Sequence, residues 1–157
     1  MIATRRGDEQ NVMTMSWHTM IDFEPPLVGL IISNRDHTFE MITESRECVI
    51  AIPTVELAPL AVKVGNTSGR NVDKFRKFKI ATAPAQHVQA PLLADCYTNL
   101  ECAVTDMSMR AKYNLFVVTV VKAWTNPAWP SPRTIHHAGR GLFVVDGERI
   151  KLPSRMK

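Results

Sequence analysis

Residues 64–75, VGNTSGRNVDKF, bring Gly65, Asn66, Thr67, Ser68, Gly69, Arg70 and Lys74 together in an otherwise apolar chain. Glycines let the backbone turn its N–H groups to one side, and Thr67, Ser68 and Lys74 add side-chain donors. This is anion-binding chemistry, although a solvated basic loop has the same composition. The spacing is not that of a nucleotide-triphosphate loop, and no dinucleotide fingerprint occurs in the chain. A second polar cluster, SNRDHTFE, gathers Ser33, Arg35, His37 and Thr38 between an apolar run and a helical one. Free N–H groups at a helix start and the forked donors of Arg35 suit phosphate. The alternative there is a helix cap at Thr38 beside a solvated arginine.

A third stretch, NVMTMSWHT, alternates in character. On an extended strand Met13, Met15 and Trp17 share one face, while Thr14, Ser16 and His18 share the other. Small hydroxyls of this kind serve solvent exposure, or they let a flat ligand approach the backbone. In TIHHAGRG, His136 and His137 are adjacent, so an extended strand turns them to opposite sides and they do not share a metal. No serine sits in a glycine elbow and no cysteine has an evident catalytic partner. The histidine pair is either structural or contributes one ring to a ligand pocket.

The elements that position these residues are mostly strands. Runs at 2–5, 11–18, 27–33, 48–52, 92–105, 115–124, 141–145 and 148–152 are rich in Val and Ile and bounded by Gly, Pro or Asp. Asp146-Gly147 between the last two predicts a tight hairpin. Helices are few. HTFEMITES predicts about two turns, and a segment from Thr54 to Gly65 is either interrupted or started by Pro59. NVDKFRKF predicts a short helix capped by Asn71 with Asp73 in its first turn. No strand–helix alternation marks the second half, so a barrel is expected rather than a doubly wound sheet.

Composition narrows the function. The 157 residues suit one domain, 1–157, with a real core. The start, MIATRRGDEQ, is not a secretory signal and apolar runs are too short to cross a bilayer, which predicts a cytoplasmic protein with no membrane partner. Cys48, Cys96 and Cys102 cannot all pair and match no zinc spacing, so reduced buried thiols are expected. The net charge of +4 fits a phosphorylated small ligand as well as nucleic acid. Basic and aromatic residues do not interleave along one strand, which argues against nucleic acid.

Taken in order, NVMTMSWHT, PPLVGLIISNRDHTFEMI, VIAIPT, GNTSGRNVDKF, APLLADCYTNLEC and YNLFVVTVVKA resemble the flavin reductase-like proteins with an FMN-binding split barrel. TIHHAGRG resembles the flavoredoxin-like branch of that family. The resemblance implies a mainly β fold, a Greek-key split β-barrel with a few short covering helices, and a homodimer with FMN near the subunit interface. Relatives carry a full apolar strand ahead of the segment matching ATRR, so a short first strand is expected here. Carried onto matching positions, Thr14, Met15, Ser16 and Trp17 lie along the flavin and its ribityl chain. Ser33, Arg35 and Thr38 meet the phosphate from one side, and Thr67, Ser68 and Lys74 from the other. His18 and His136 are the candidates for lining the reducing side. The implied activity is NAD(P)H-dependent flavin reduction, with NADH or NADPH as hydride donor. The competing expectation is a non-enzymatic FMN electron carrier reduced by a redox protein partner.

Overall fold

The computed structural model describes residues 1–148 and 150–153. Its centre is a seven-stranded antiparallel sheet in the order β2-β1-β5-β8-β9-β4-β3. The strands are β1 (Ile2–Arg6), β2 (Glu9–Met13), β3 (His18–Phe23), β4 (Pro26–Ile31), β5 (Glu47–Ile52), β8 (Thr98–Asp106) and β9 (Leu115–Thr125). Two further pairs are small: β6 (Thr82–Ala83) with β7 (Leu92–Leu93), and β10 (Ile135–Gly139) with β11 (Leu142–Val145). Four helices cover the sheet: α1 (His37–Ser45), α2 (Ala58–Gly65), α3 (Lys74–Phe78) and α4 (Arg110–Tyr113). None of the helices among the described residues is long and apolar enough to cross a membrane.

Chain connectivity forces this sheet to curl. β2 and β3 are its two edges, yet only residues 14–17 separate them in sequence. Seven flat strands would set their edges about 29 Å apart at about 4.8 Å per gap. The connection reaches at most about 18 Å at about 3.5 Å per residue. The sheet therefore bends toward closure, helped by bulges in β3 and β8 that add local twist. Hairpins β1–β2, β3–β4 and β8–β9, with β5 inserted between β1 and β8, give the Greek-key connectivity of a split barrel.

Both faces of the central strands are buried. In β1, Ile2 packs into one core and Ala3 into the other, and in β5 Cys48 and Ile50 oppose Val49 and Ala51 in the same way. Alternation at a period of two thus serves two apolar clusters rather than a core and a solvent face. One contains Leu30, Ile32, Phe116 and Val118, and the other contains Val12, Ala61, Val64, Phe75 and Leu93. Fully burying a side chain such as Phe116 is worth about 2–3 kcal/mol. All three cysteines are free and buried, and burial pushes the Cys96 thiol up to about 11. The Cys48 thiol is raised by its hydrogen bond with Cys102 and by burial. These thiols are inert at neutral pH.

Local expectations fare unevenly. α1 spans the predicted nine residues, with His37, Thr38, Met41 and Ile42 on its buried face, and it ends where Arg46 turns left-handed. Pro59 starts α2 rather than breaking it, after a single 3-10 turn at Val55–Leu57. The cap of α3 is Asp73, not Asn71, because its carboxylate accepts from the Arg76 N–H at 3.0 Å. The runs 11–18 and 92–105 each break into two strands, at residues 14–17 and 94–97. No Asp146-Gly147 hairpin forms: residues 146–148 and 150–153 carry no strand, and Arg149 lies outside the described residues. The turn lies instead at Gly139–Arg140–Gly141, all with positive φ, where two of the three residues are glycine.

Candidate functional site

Three clefts meet at Thr14, in the segment that bridges the barrel seam. Thr14 is fixed there because its hydroxyl donates to the Ala61 carbonyl of α2 at 2.5 Å. Gly65 packs closely on this residue: an added Cβ would stand 3.3 Å from the Thr14 side chain.

The first cleft, about 340 Å³, is polar and draws on three parts of the chain. Asn11 and Thr14 come from the end of β2, Arg35 to Thr38 from the start of α1, and Val64 to Arg70 with Lys74 from the loop between α2 and α3. The two clusters singled out in the sequence therefore face one another. Asn11 locks the junction: its amide donates to Thr38 Oγ1 at 2.8 Å, and a side chain at Gly69 would overlap its Oδ1. Lys74 is buried beneath the cleft, with Nζ donating to the carbonyls of Val12 at 2.7 Å and Val64 at 3.1 Å. Burial lowers its pKa from 10.5 to about 8, against a smaller opposing pull from Asp36. The Arg35 side chain is exposed and makes no hydrogen bond or ion pair among the described residues. Arg70 donates from one nitrogen to the Arg35 carbonyl at 2.8 Å and from another to Glu40 at 2.5 Å. That guanidinium holds the Glu40 carboxyl below the usual carboxylate range.

The second cleft, about 420 Å³, is mainly apolar, with Met15, Ile50, Ile52, Tyr97, Leu100 and Phe143 in its walls. His18 and His136 lie at its polar end. Burial lowers the His18 pKa, with smaller contributions from the Met1 amino group and His136. His136 Nε2 is 3.0 Å from Asp146 Oδ1, and the other carboxylate oxygen accepts from Thr134. The third cleft, about 550 Å³, is lined by Thr14, Ser16, Val62, His137, Arg140 and Phe143. Ser16 Oγ is 2.9 Å from His137 Nδ1, so the adjacent histidines engage different partners, as their alternation on β10 requires.

Of the residues marked in the sequence, Thr14, Arg35, Thr38, Thr67, Ser68 and Lys74 line the polar cleft. Met15, His18 and His136 line the apolar one, and Ser16 the third. Ser33 stands apart from these walls: it is half-buried and its Oγ accepts from the Arg35 N–H at 3.2 Å. Trp17 is 71% exposed, and its carbonyl accepts from the Ile31 N–H. Sequence reasoning placed Arg70 and His37 in the two polar clusters without giving either a role toward the phosphate, chose His136 over His137, and gave Asn11 no role, yet all four line the clefts. Arg70 lies inside the quoted loop, so a pairing test against Glu40 was its available signal. Asn11 carried none, because nothing local to it announces Thr38 or Gly69.

The cleft fits a ligand with a phosphate and hydroxyls joined to a flat ring. Asn11 Oδ1 and His37 Nδ1 are buried at its wall without hydrogen-bond partners among the described residues. Hydroxyl and cationic donors gather at this end, and an apolar slot opens beyond Thr14.

Comparison with known proteins gives the family and the fold. An uncharacterized protein of Archaeoglobus fulgidus is 34% identical over 110 residues, which cover 70% of this chain and 62% of that protein. The match thus spans less than two thirds of that relative's length. The crystal structure of an FMN-binding domain of a flavin reductases-like enzyme from Shewanella baltica OS155 superposes with a TM-score of 0.89. It is 25% identical and covers 97% of this chain and 87% of that one. Flavoredoxin of Desulfovibrio vulgaris shares the fold, with a TM-score of 0.85 at 20% identity over 96% of this chain and 87% of that one. The family model described as a flavin reductase like domain matches residues 1–144, and the chain belongs to that family.

Proposed function

We propose that this protein binds FMN and reduces it with NADH or NADPH, as an NAD(P)H-dependent flavin reductase. The observation that carries this is that a polar cleft lined by hydroxyls and cations and a mainly apolar cleft of about 420 Å³ share Thr14 as a wall residue. Arg35, Thr67, Ser68 and Lys74 would hold the phosphate, with Thr38 behind them. The segment Thr14, Met15, Ser16 and Trp17 would present backbone groups to the ribityl chain and ring. When bound, the flavin supplies a two-electron acceptor for hydride from a nicotinamide.

The chain's own residues bind, orient and exclude water. Lys74 and Arg35 bring positive charge to one end, so an anionic ligand enters in one direction. Met15, Ile50, Ile52 and Leu100 keep the far end dry, which strengthens every polar contact made there. Asp146 Oδ1, 3.0 Å from His136 Nε2, orients that ring at the cleft.

A second copy of the chain completes the proposal. Trp17, Met20 and Phe23 are exposed along the β3 edge, and Leu142 and Val144 on β11. An open strand edge with such side chains calls for cover. A homodimer through this flank would enclose the clefts beside it.

The test is to load purified protein with FMN, add NADH or NADPH under anaerobic conditions and follow the flavin absorbance. Bleaching supports the reductase. Bound FMN that neither nucleotide bleaches leaves the carrier reduced by a protein partner, and absence of FMN binding defeats both.

A further inference from the structure

Two arginines border the polar cleft, and their situations differ. Arg35 has an uncommitted guanidinium among the described residues. Arg70 is fully engaged: it spans the cleft from the loop after α2 to α1, bonding the Arg35 carbonyl at 2.8 Å and Glu40 Oε1 at 2.5 Å. Glu40 is itself held. Its other oxygen lies 3.6 Å from His37 Nδ1, and His37 Nε2 lies 2.7 Å from Glu9. Glu9 pairs with Arg6 at 2.6 Å, and Arg6 reaches back to Glu44 of α1 at 2.9 Å. These side-chain contacts therefore run from β1 through β2 and α1 to the loop, with the buried His37 at their centre.

We propose that Arg70 is a positioning residue, a strap that holds the 66–70 loop against α1 so that Thr67 and Ser68 face Arg35 and Thr38 across the cleft. Its charge is spent on Glu40 rather than offered to a ligand. The strap rests on the anion-site function proposed above only for its consequence, not for its existence. Its two acceptors are met by different guanidinium nitrogens, Nη1 and Nη2, whereas a lysine would have to reach both from a single Nζ. Gly69, next to the strap, lies so close to Asn11 that no side chain fits between them, so the docked loop sits tightly against β2.

The strap and a direct ligand predict opposite results. Arg70→Met, Arg70→Lys and Glu40→Ala would each be examined by amide hydrogen exchange of residues 66–70 without ligand, and by titration with FMN and riboflavin. For a strap, all three variants speed exchange in the loop. All three also weaken FMN about fivefold, because only the docked fraction binds. The double variant Arg70→Met/Glu40→Ala is no worse than either single one. For a direct ligand, Glu40→Ala frees the guanidinium and tightens FMN, Arg70→Lys keeps most of the affinity, and exchange is unchanged. Any of those three results overturns the strap. If wild-type protein binds FMN and riboflavin equally, the anion site fails, and faster loop exchange in the variants still upholds the strap.

Discussion

Lys74 makes anion affinity depend on pH with a sign and size set by its surroundings. Its ammonium is buried against two carbonyls, and its pKa has fallen from 10.5 to about 8. A bound phosphate favours the charged form, so the complex holds the Lys74 proton to higher pH than the free protein. FMN affinity is then flat below about pH 8 and falls as pH rises through the free-protein value. The gap between about 8 and 10.5, at about 1.4 kcal/mol per pKa unit, sets a ceiling of about 3 kcal/mol on this coupling. Full restoration by phosphate gives about tenfold weaker FMN binding at pH 9 than at pH 7. The phosphate's own second ionisation, near pH 6, is complete across that window.

The assay is titration of FMN and riboflavin at pH 7, 8 and 9, with flavin fluorescence as readout. Riboflavin shares the ring and lacks the phosphate, so the ratio of the two affinities removes any effect on the ring or the fold. Lys74→Met, which keeps the aliphatic stem, should flatten that ratio. The same variant separates a stability effect of opposite direction. The unfolded chain holds the Lys74 proton up to 10.5 and the ligand-free fold only to about 8, so the Lys74 contribution to stability rises with pH between those values. A constant FMN-to-riboflavin ratio from pH 7 to pH 9 in the wild type would refute the reasoning. An equal slope in Lys74→Met would do the same.

Other perturbations test other parts. Arg35→Ala should weaken FMN by about 1.5–3 kcal/mol, the worth of a charge-assisted bond, with little change in melting temperature. Glu101, fully buried, accepts from the N–H groups of Gln86, His87 and Val88 and from Trp124 Nε1. Burial raises its pKa, but those donors outweigh it and leave the carboxyl below its ordinary value, so stability is lost as pH falls through the carboxylate range. Glu101→Gln should cost about 3 kcal/mol in chemical denaturation, because an amide presents one acceptor oxygen to those donors and buries two N–H groups of its own. His136→Ala should slow flavin reduction in stopped flow while FMN affinity stays within about twofold, and an unchanged rate would make the ring structural. Sedimentation at micromolar concentration should show a dimer, and Phe23→Lys on the exposed β3 edge should shift it to monomer.

Much of this was legible because it is local. The nine residues of α1 carry their own period, and β5 and β9 announce themselves by Val and Ile runs. Reading 11–18 as one strand failed because its break is set from outside. Thr14 leaves the strand path to bond Ala61, far along the chain, and residues 14–17 must then cross to the other edge of the sheet. Asp146-Gly147 has the composition of a turn, but the Asp146 carboxylate is taken by Thr134 and His136, and the glycines flanking Arg140 make the reversal first. The two halves of the polar cleft were each visible as composition, whereas their meeting depends on Asn11 and Gly69, a contact no sequence spacing encodes.

The place of the site follows from the same connection that closes the barrel. A four-residue crossing between the two sheet edges lies outside the strand ladders, and its residues Thr14, Met15 and Ser16 line the clefts. α1 and the loop after α2 flank that crossing because each must cover an end of the curled sheet, and both bring donors rather than apolar side chains to it. Moving the bridge should therefore disturb ligand binding and fold closure together, whereas the donors around it can be changed singly. Thr14→Val keeps shape and removes only the bond to Ala61. It should cost about 1 kcal/mol in stability and loosen residues 14–17 in hydrogen exchange. FMN and riboflavin should weaken alike, because the crossing serves the ring and its chain rather than the phosphate. Selective loss of FMN in that variant would place Thr14 in the anion site and separate the seam from the ring.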